Sequence, residues 1–184
     1  MLKSRNQIYD EILLIKCRQG NGAAFDELVG RWQKRLWHYA YRMTGSESAA
    51  WDVVQETWYG IIKGLRKLED VSVFPQWAFR IASNKCVDWG RKQKRKERLD
   101  NELMKKSHNE SNEKQNEGDK TKSLRAAIEK LSPEHRALLE LRYHEGFEIN
   151  QIAEILNVPE GTVKSRLHRT LERLRQIIER NENE

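Results

Sequence analysis

Proline is scarce in this chain, with three residues in 184. Each stands where a helix can begin rather than where one must break, at Pro75, Pro133 and Pro159, positions at which a missing N–H costs little. Cysteine is scarcer. Cys17 and Cys86 lie far apart without a CxxC partner, each flanked by apolar helical positions. That pattern argues for buried thiols in a reducing compartment and against a disulfide or a redox pair. Long apolar runs are missing too, since no stretch of eighteen apolar residues occurs, so no membrane-spanning segment and no direct membrane insertion is expected. The first residues, MLKSRNQIYDEILLIK, place acids inside the apolar stretch and show no small-residue cleavage site, unlike a signal peptide. The five histidines, His38, His108, His135, His144 and His168, show no HExxH or metal-ligand spacing, and no carboxylate cluster stands out. No enzyme, no metal and no cofactor is therefore expected.

What is present is charge and helical period. Charged residues make up 34% and apolar ones 38%, which suits soluble helical units with thin cores, one domain or two small ones. The net charge of +6 favours a polyanionic partner. A cytoplasmic location is expected.

The most informative stretch is Ile149 to Leu174, INQIAEILNVPEGTVKSRLHRTLERL. Ile149, Ile152, Ala153 and Leu156 share one helical face. Asn157 then stands where the chain must reverse, and asparagine tolerates the left-handed conformation. Val158 can plug the angle between two helices, and Pro159 fits the start of the second. That helix is expected to bury Val163, Leu167, Leu171 and Leu174. Its other face carries Thr162, Lys164, Ser165, Arg166, His168 and Arg169. Such side chains at a helix N-terminus suit a helix-turn-helix in the major groove. Glu160 and Gly161 permit close approach of the helix end to phosphate.

Upstream, the spacing predicts helices over 8–19, from about Ala23 to Met43, from Glu47 to about Leu68 and from Pro75 to about Lys96. The second carries Phe25, Leu28, Val29, Trp32, Leu36, Tyr39 and Met43 on its apolar side and closes at Thr44-Gly45. In the third, capped by Ser46, the core-facing set is Ala50, Val53, Val54, Thr57, Trp58, Ile61, Ile62 and Leu65. Its opposite side is a polar stripe of Asp52, Gln55, Glu56 and Tyr59, at i, i+3, i+4 and i+7. An irregular loop, 69–74, precedes the fourth helix, where Trp77, Ile81, Val87 and Cys86 suit the buried side. Arg80, Asn84, Lys85, Asp88 and Arg91 suit the exposed side, and a basic run follows: Arg91, Lys92, Lys94, Arg95, Lys96 and Arg98. Cations beside aromatics fit a single-strand groove, where bases stack on rings while charge follows the backbone.

From Leu99 to Lys122 the chain has almost no apolar residues and no period, which reads as a flexible linker. Fully extended, it could reach ~80 Å, about two turns of B-DNA. After it, Leu124, Ala127, Ile128 and Leu131 make one helix. Ser132-Pro133-Glu134 starts another that buries Ala137, Leu138 and Leu141 and stops at Gly146. The fold class expected is all-α: two small helical domains, 1–98 and 123–184, joined by the linker 99–122.

With these motifs in order, the sequence resembles a bacterial sigma-70 family sigma factor of the extracytoplasmic-function (ECF) class. DVVQETW (Asp52 to Trp58) resembles the family's D-x-x-Q-E-x-F motif, with tryptophan in place of the phenylalanine. FPQWAFRIASNKCVDWGRKQKR (Phe74 to Arg95) resembles W-L-x-R-I-A-x-N-x-x-x-D-x-x-R-K, with Ala78 where leucine is usual. The stretch beginning at Leu131 resembles the promoter-reading fourth region, with Gln151 for glutamate and Asn157 for the usual turn glycine. Trp51 stands where a second acid is typical.

The resemblance implies a non-enzymatic initiation factor that binds core RNA polymerase and directs it to promoters. Asp52, Gln55, Glu56 and Tyr59 would dock on the β′ clamp helices, with further contacts to the β subunit. The loop 68–74 and the next helix would hold the melted −10 strand, through Phe74, Arg80, Asn84, Lys85, Asp88 and Arg91. Phe74 is the better stacking candidate, and Trp77 is a core residue by its spacing. A flipped base caught in a loop pocket would favour the open state. Gly161, Thr162, Lys164, Ser165, Arg166 and Arg169 would read the −35 element as duplex. The linker would thread towards the RNA exit path. The family also implies an anti-sigma factor as regulatory partner, one that can hold the protein at the membrane. The competing reading is a stand-alone helix-turn-helix regulator, which needs neither the polar stripe nor the aromatic–basic helix.

Overall fold

The computed structural model describes residues 5–103, 127–128 and 131–181; side chains at 94, 96–103 and 180–181 fall outside it. All the regular structure described is helical. The rest of the stretch expected as a linker, 104–122, together with Leu124 and the side chains of Lys94, Lys96 and Arg98, lies outside the described residues.

Helix α1 (Arg5–Arg18) leads into α2 (Gly22–Thr44), whose start is fixed by Asn21: its side chain accepts from the Ala24 N–H at 3.0 Å. Such a cap contributes about 1 kcal/mol. Gly45 ends α2 in the left-handed region at φ +69°, and its N–H reaches the Tyr41 carbonyl at 2.7 Å. Ser46 then caps α3 (Glu47–Gly64). The chain continues through single 3-10 turns at Leu65–Lys67 and Val71–Val73 into α4 (Phe74–Leu103). The irregular loop thus has internal order, with the Asp70 carboxylate accepting from the Ser72 N–H at 2.8 Å. Helix α4 also runs past Lys96, so residues 99–103 are helical rather than linker.

These helices pack around Leu14, Leu28, Leu36, Tyr39, Val53, Ile61, Phe74 and Phe79. Tyr39 is fully buried and satisfies its hydroxyl against Ser83 Oγ at 2.7 Å. Two expectations need correction. Ile62 is 54% exposed and lies outside the core. In α4 the buried face is Phe74, Ala78, Phe79, Ala82 and Cys86, while Trp77, Ile81 and Val87 are half-buried. Trp77 instead packs on α3, where a side chain at Gly64 would put its Cβ 2.6 Å from the indole. The absence of that Cβ is what lets the two helices close.

In the second unit, Ser132 caps α5 (Pro133–Leu139), with Pro133 in its first turn. Ala137, Leu138 and Leu141 are buried as expected, and a π-turn over Glu140–His144 leads to Gly146 at φ +74°. Helix α6 (Ile149–Leu156) is closed at its start by Gln151, whose side-chain oxygen accepts from the Glu148 N–H at 2.8 Å. Asn157 ends it at φ 53°, ψ 52°, the left-handed turn expected of that residue. The Pro159 carbonyl opens α7 (Glu160–Asn181) by accepting from Thr162 and Val163. Helix α7 buries Val163, Leu167, Thr170 and Leu174, whereas Leu171 is 40% exposed. The register is therefore four, three, four. Thr170 is tolerated inside because its hydroxyl donates to the Arg166 carbonyl at 2.7 Å. Ile155 is also buried, on a side of α6 not assigned to the core from spacing. The reason is that α6 lies between α7 and α4, so it has two faces to cover.

That last contact joins the halves. Phe79 of α4 meets Phe147 edge-on at 5.3 Å, and both belong to one continuous cluster of buried side chains.

Candidate nucleic-acid and partner surfaces

Three surfaces carry the candidate residues. The first is the outward ridge of α3. Because Val53, Val54, Thr57, Trp58 and Ile61 point inward, helical geometry leaves Asp52, Gln55, Glu56 and Tyr59 exposed in a row. Tyr59 is 55% exposed, and Lys63 Nζ sits 4.2 Å from its ring centre. Ile62 continues the row. Sequence reasoning missed it because an isoleucine at that spacing looks like core. The ridge is acidic at one end and apolar at the other. Beside it Trp51 is exposed, tilted against Trp37 at 5.9 Å, which in turn stacks on Tyr41.

The second surface is α4. Arg80, Asn84, Asp88 and Arg91 are exposed, and Lys85 is half-buried. Lys85 Nζ donates to Glu56 Oε2 at 2.9 Å, which ties this surface to the ridge and lowers the Glu56 carboxyl pKa, first through that hydrogen bond and then through the charge of Lys85. Arg91 reaches Glu134 at 3.8 Å. Phe74 requires a correction. It is fully buried, packed edge-on against Trp32 at 5.1 Å, and offers no face for a base. The 3-10 turn over Val71–Val73 tips it inward as the first residue of α4. A cleft of about 560 Å³ opens nearby, lined by Val71, Ser72, Pro75, Gln76, Asp10 and Glu145 among others. Gln76 Oε1 is buried there with no hydrogen-bond partner among the described residues.

The third surface is the start of α7. Gly161, Lys164, His168 and Arg169 are exposed; Thr162, Ser165 and Arg166 are half-buried. Ser165 Oγ donates to the Thr162 carbonyl at 3.1 Å, which leaves its lone pairs free to accept. Lys164 lies 3.9 Å from Glu160, a loose pair on a solvated face that phosphate can displace. With the Thr162 and Val163 N–H groups bonded to the Pro159 carbonyl, it is the positive helix end and these side chains that favour an anion here. The side chains expected on each surface are thus grouped as the sequence suggested, Phe74 excepted.

No group of three metal-ligating side chains occurs among the described residues, and none of their helices is long and apolar enough to cross a membrane.

Residues 28–96 match the family described as Sigma-70 region 2, and residues 127–176 match Sigma-70, region 4. The chain is 33% identical over 150 residues to the ECF RNA polymerase sigma factor SigL of Mycobacterium tuberculosis, covering 78% of this chain and 82% of that protein. It is 29% identical over 182 residues to SigW of Bacillus subtilis, covering 88% of this chain and 92% of that protein. With SigE of Mycolicibacterium smegmatis the identity is 31% over 165 residues, 88% of this chain but 64% of that longer protein. The fold is shared with the sigma factor RpoE in its complex with the anti-sigma factor NepR from Bartonella quintana, at 24% identity and a TM-score of 0.66 over 84% of this chain and 96% of that one. It is shared also with CnrH in complex with the cytosolic domain of CnrY, at 24% identity and 0.67 over 93% and 97%. Both conserved regions are present, in order, and the similarity to SigL runs through most of both chains, so this chain belongs to the sigma-70 family as an ECF RNA polymerase sigma factor.

Proposed function

We propose that this sigma factor binds core RNA polymerase through the ridge on α3, with Asp52, Gln55, Glu56 and Tyr59 carrying the contact and Ile62 extending it. The ridge meets the β′ clamp helices, and the second unit adds contacts to the β subunit. Arg80, Asn84, Lys85 and Arg91 on α4 hold the melted −10 strand, with Asp88 orienting or discriminating among the bases beside them. The start of α7 reads the −35 element as duplex, Arg166 by base edge and Lys164 by phosphate. The protein acts in the cytoplasm, needs no catalytic residue of its own, and is a target for an anti-sigma factor that covers these same surfaces.

The observation that carries this reading is the exposed ridge lying directly beside α4, joined to it by Lys85 and Glu56. A regulator that only binds duplex DNA has no use for such a ridge. Run-off transcription from fragmented genomic DNA with core polymerase tests it. Specific transcripts should require this protein and vanish with Asp52→Arg or Gln55→Arg. Tight binding to a duplex operator combined with indifference to core polymerase would instead establish a stand-alone regulator.

A further inference from the structure

The side of α3 that turns towards α2 carries a second row beside the polar stripe. Trp51, Gln55 and Ile62 follow one another at i, i+4 and i+11, with Glu47 one turn before Trp51, and all four are exposed. Trp51 is 39% exposed, yet its ring is held in place. The indole lies 5.9 Å from Trp37 of α2, tilted by 45°, and Trp37 stacks on Tyr41 at 5.1 Å and 8°. Both supporting rings are half-buried and packed against the core. Trp51 therefore has little side-chain freedom to lose when a partner covers it.

The charges around this ring are uncompensated. Neither Glu47 nor Asp52 has an ion-pair partner among the described residues. Two other exposed rings of the same unit carry a cation from their own chain: Arg31 covers Tyr9 at 5.1 Å, and Lys63 covers Tyr59 at 4.2 Å. No cation among the described residues covers Trp51 in this way. A π face and neighbouring carboxylates attract the same sign of charge, so the spot suits a cation. Phosphate is repelled there, which separates it from the nucleic-acid surfaces. Arginine fits better than lysine. Its planar guanidinium can stack as the next layer on the Trp37–Tyr41 tier while its N–H fork reaches a carboxylate.

We propose that Trp51 is a specificity-determining residue for core polymerase. Its ring, buttressed by Trp37 and Tyr41 and bordered by Glu47 and Asp52, seats an arginine of the polymerase surface, so the contact runs across α3 onto α2. The partner named here rests on the ridge reading above, since Gln55 belongs to both rows. The open face of Trp51 and the unpaired acids do not depend on it.

Titration of labelled full-length variants with core polymerase free of any other sigma factor, over a salt series, tests this. Trp51→Leu keeps an apolar side chain but removes the π face, and should weaken binding by about 2- to 30-fold. Trp51→Phe keeps a ring and should retain most of the affinity. Trp51→Glu replaces the ring by a carboxylate; it should bind well at low salt and lose affinity more steeply than wild type as salt rises. Trp51→Leu binding as wild type does would overturn the seat, and so would Trp51→Phe binding as weakly as Trp51→Leu. In either case the ridge reading survives if Gln55→Arg still fails to bind. Should Trp51→Leu lose helicity by circular dichroism, Glu47→Arg decides: weaker binding supports the seat and unchanged binding removes it. If no form binds core polymerase, wild type included, the ridge reading itself fails and the seat falls with it.

Discussion

Burial pushes the Cys86 thiol up from 9.0 to about 12. Burial also holds the Tyr39 phenol well above its ordinary value, against the opposing pull of its hydrogen bond to Ser83. Both groups keep their protons in the folded chain at a pH where the unfolded chain has lost them. Stability from this source is intact below pH 9 and falls as pH rises from there towards 12, at up to about 1.4 kcal/mol per unit for each proton retained. Urea denaturation between pH 8 and 11 should show that decline, and Cys86→Ala should flatten its first part whatever it does to stability at pH 8. The native protein should also react with a thiol reagent at half-buried Cys17 before Cys86. Phe74 offers a second test at this scale. As a core residue, Phe74→Ala should lower stability by about 3–5 kcal/mol, whereas exposed Val73→Ala should stay within about 0.5 kcal/mol. A Phe74→Ala chain of normal stability that failed only in promoter opening would return the ring to the strand-holding surface.

Helix ends were legible because they are decided locally. Ser46, Ser132 and Asn157 each act where the sequence places them, since a cap or a left-handed turn depends on a few neighbouring atoms. Helix phase was less legible wherever an element is covered from two sides. Helix α4 touches α2 and α3 on one side and α5 and α6 on the other, so its buried stripe is widened towards Phe79 and Cys86 and Trp77 becomes a flank. Helix α7 chose Thr170 over Leu171, a swap that hydropathy alone cannot favour because it depends on a hydroxyl bonding its own helix. Gly64 sets the α3–α4 distance. Gly64→Ala should gain about 1 kcal/mol of helix propensity yet suffer overpacking of about 1–3 kcal/mol against Trp77. A net fall in melting temperature is expected, relieved when Trp77 is also shortened to leucine; a rise in the single variant would mean that the indole is free to move away.

At the scale of the whole molecule, the surfaces expected to bind are outward, and the docking between units was invisible in the sequence. Arg35, Arg42, Glu140 and Glu145 carry no signal there, because nothing local says that residues about a hundred positions apart will meet. The net charge of +6 is more general and predicts strong salt dependence of DNA binding. Lys164→Glu should weaken binding to all duplexes and reduce the salt slope, while Arg166→Ala should also relax preference at one base pair, by about 1–3 kcal/mol of discrimination. Equilibrium binding across a salt series with matched and mismatched −35 duplexes separates the two. The central claim is that the ridge on α3 grips the polymerase, and direct titration of fluorescently labelled protein with core enzyme free of any other sigma factor tests it. Wild type and Lys164→Glu should bind alike, and Gln55→Arg should lose at least a hundredfold in affinity while keeping its helicity. Equal binding by wild type and Gln55→Arg would contradict the claim.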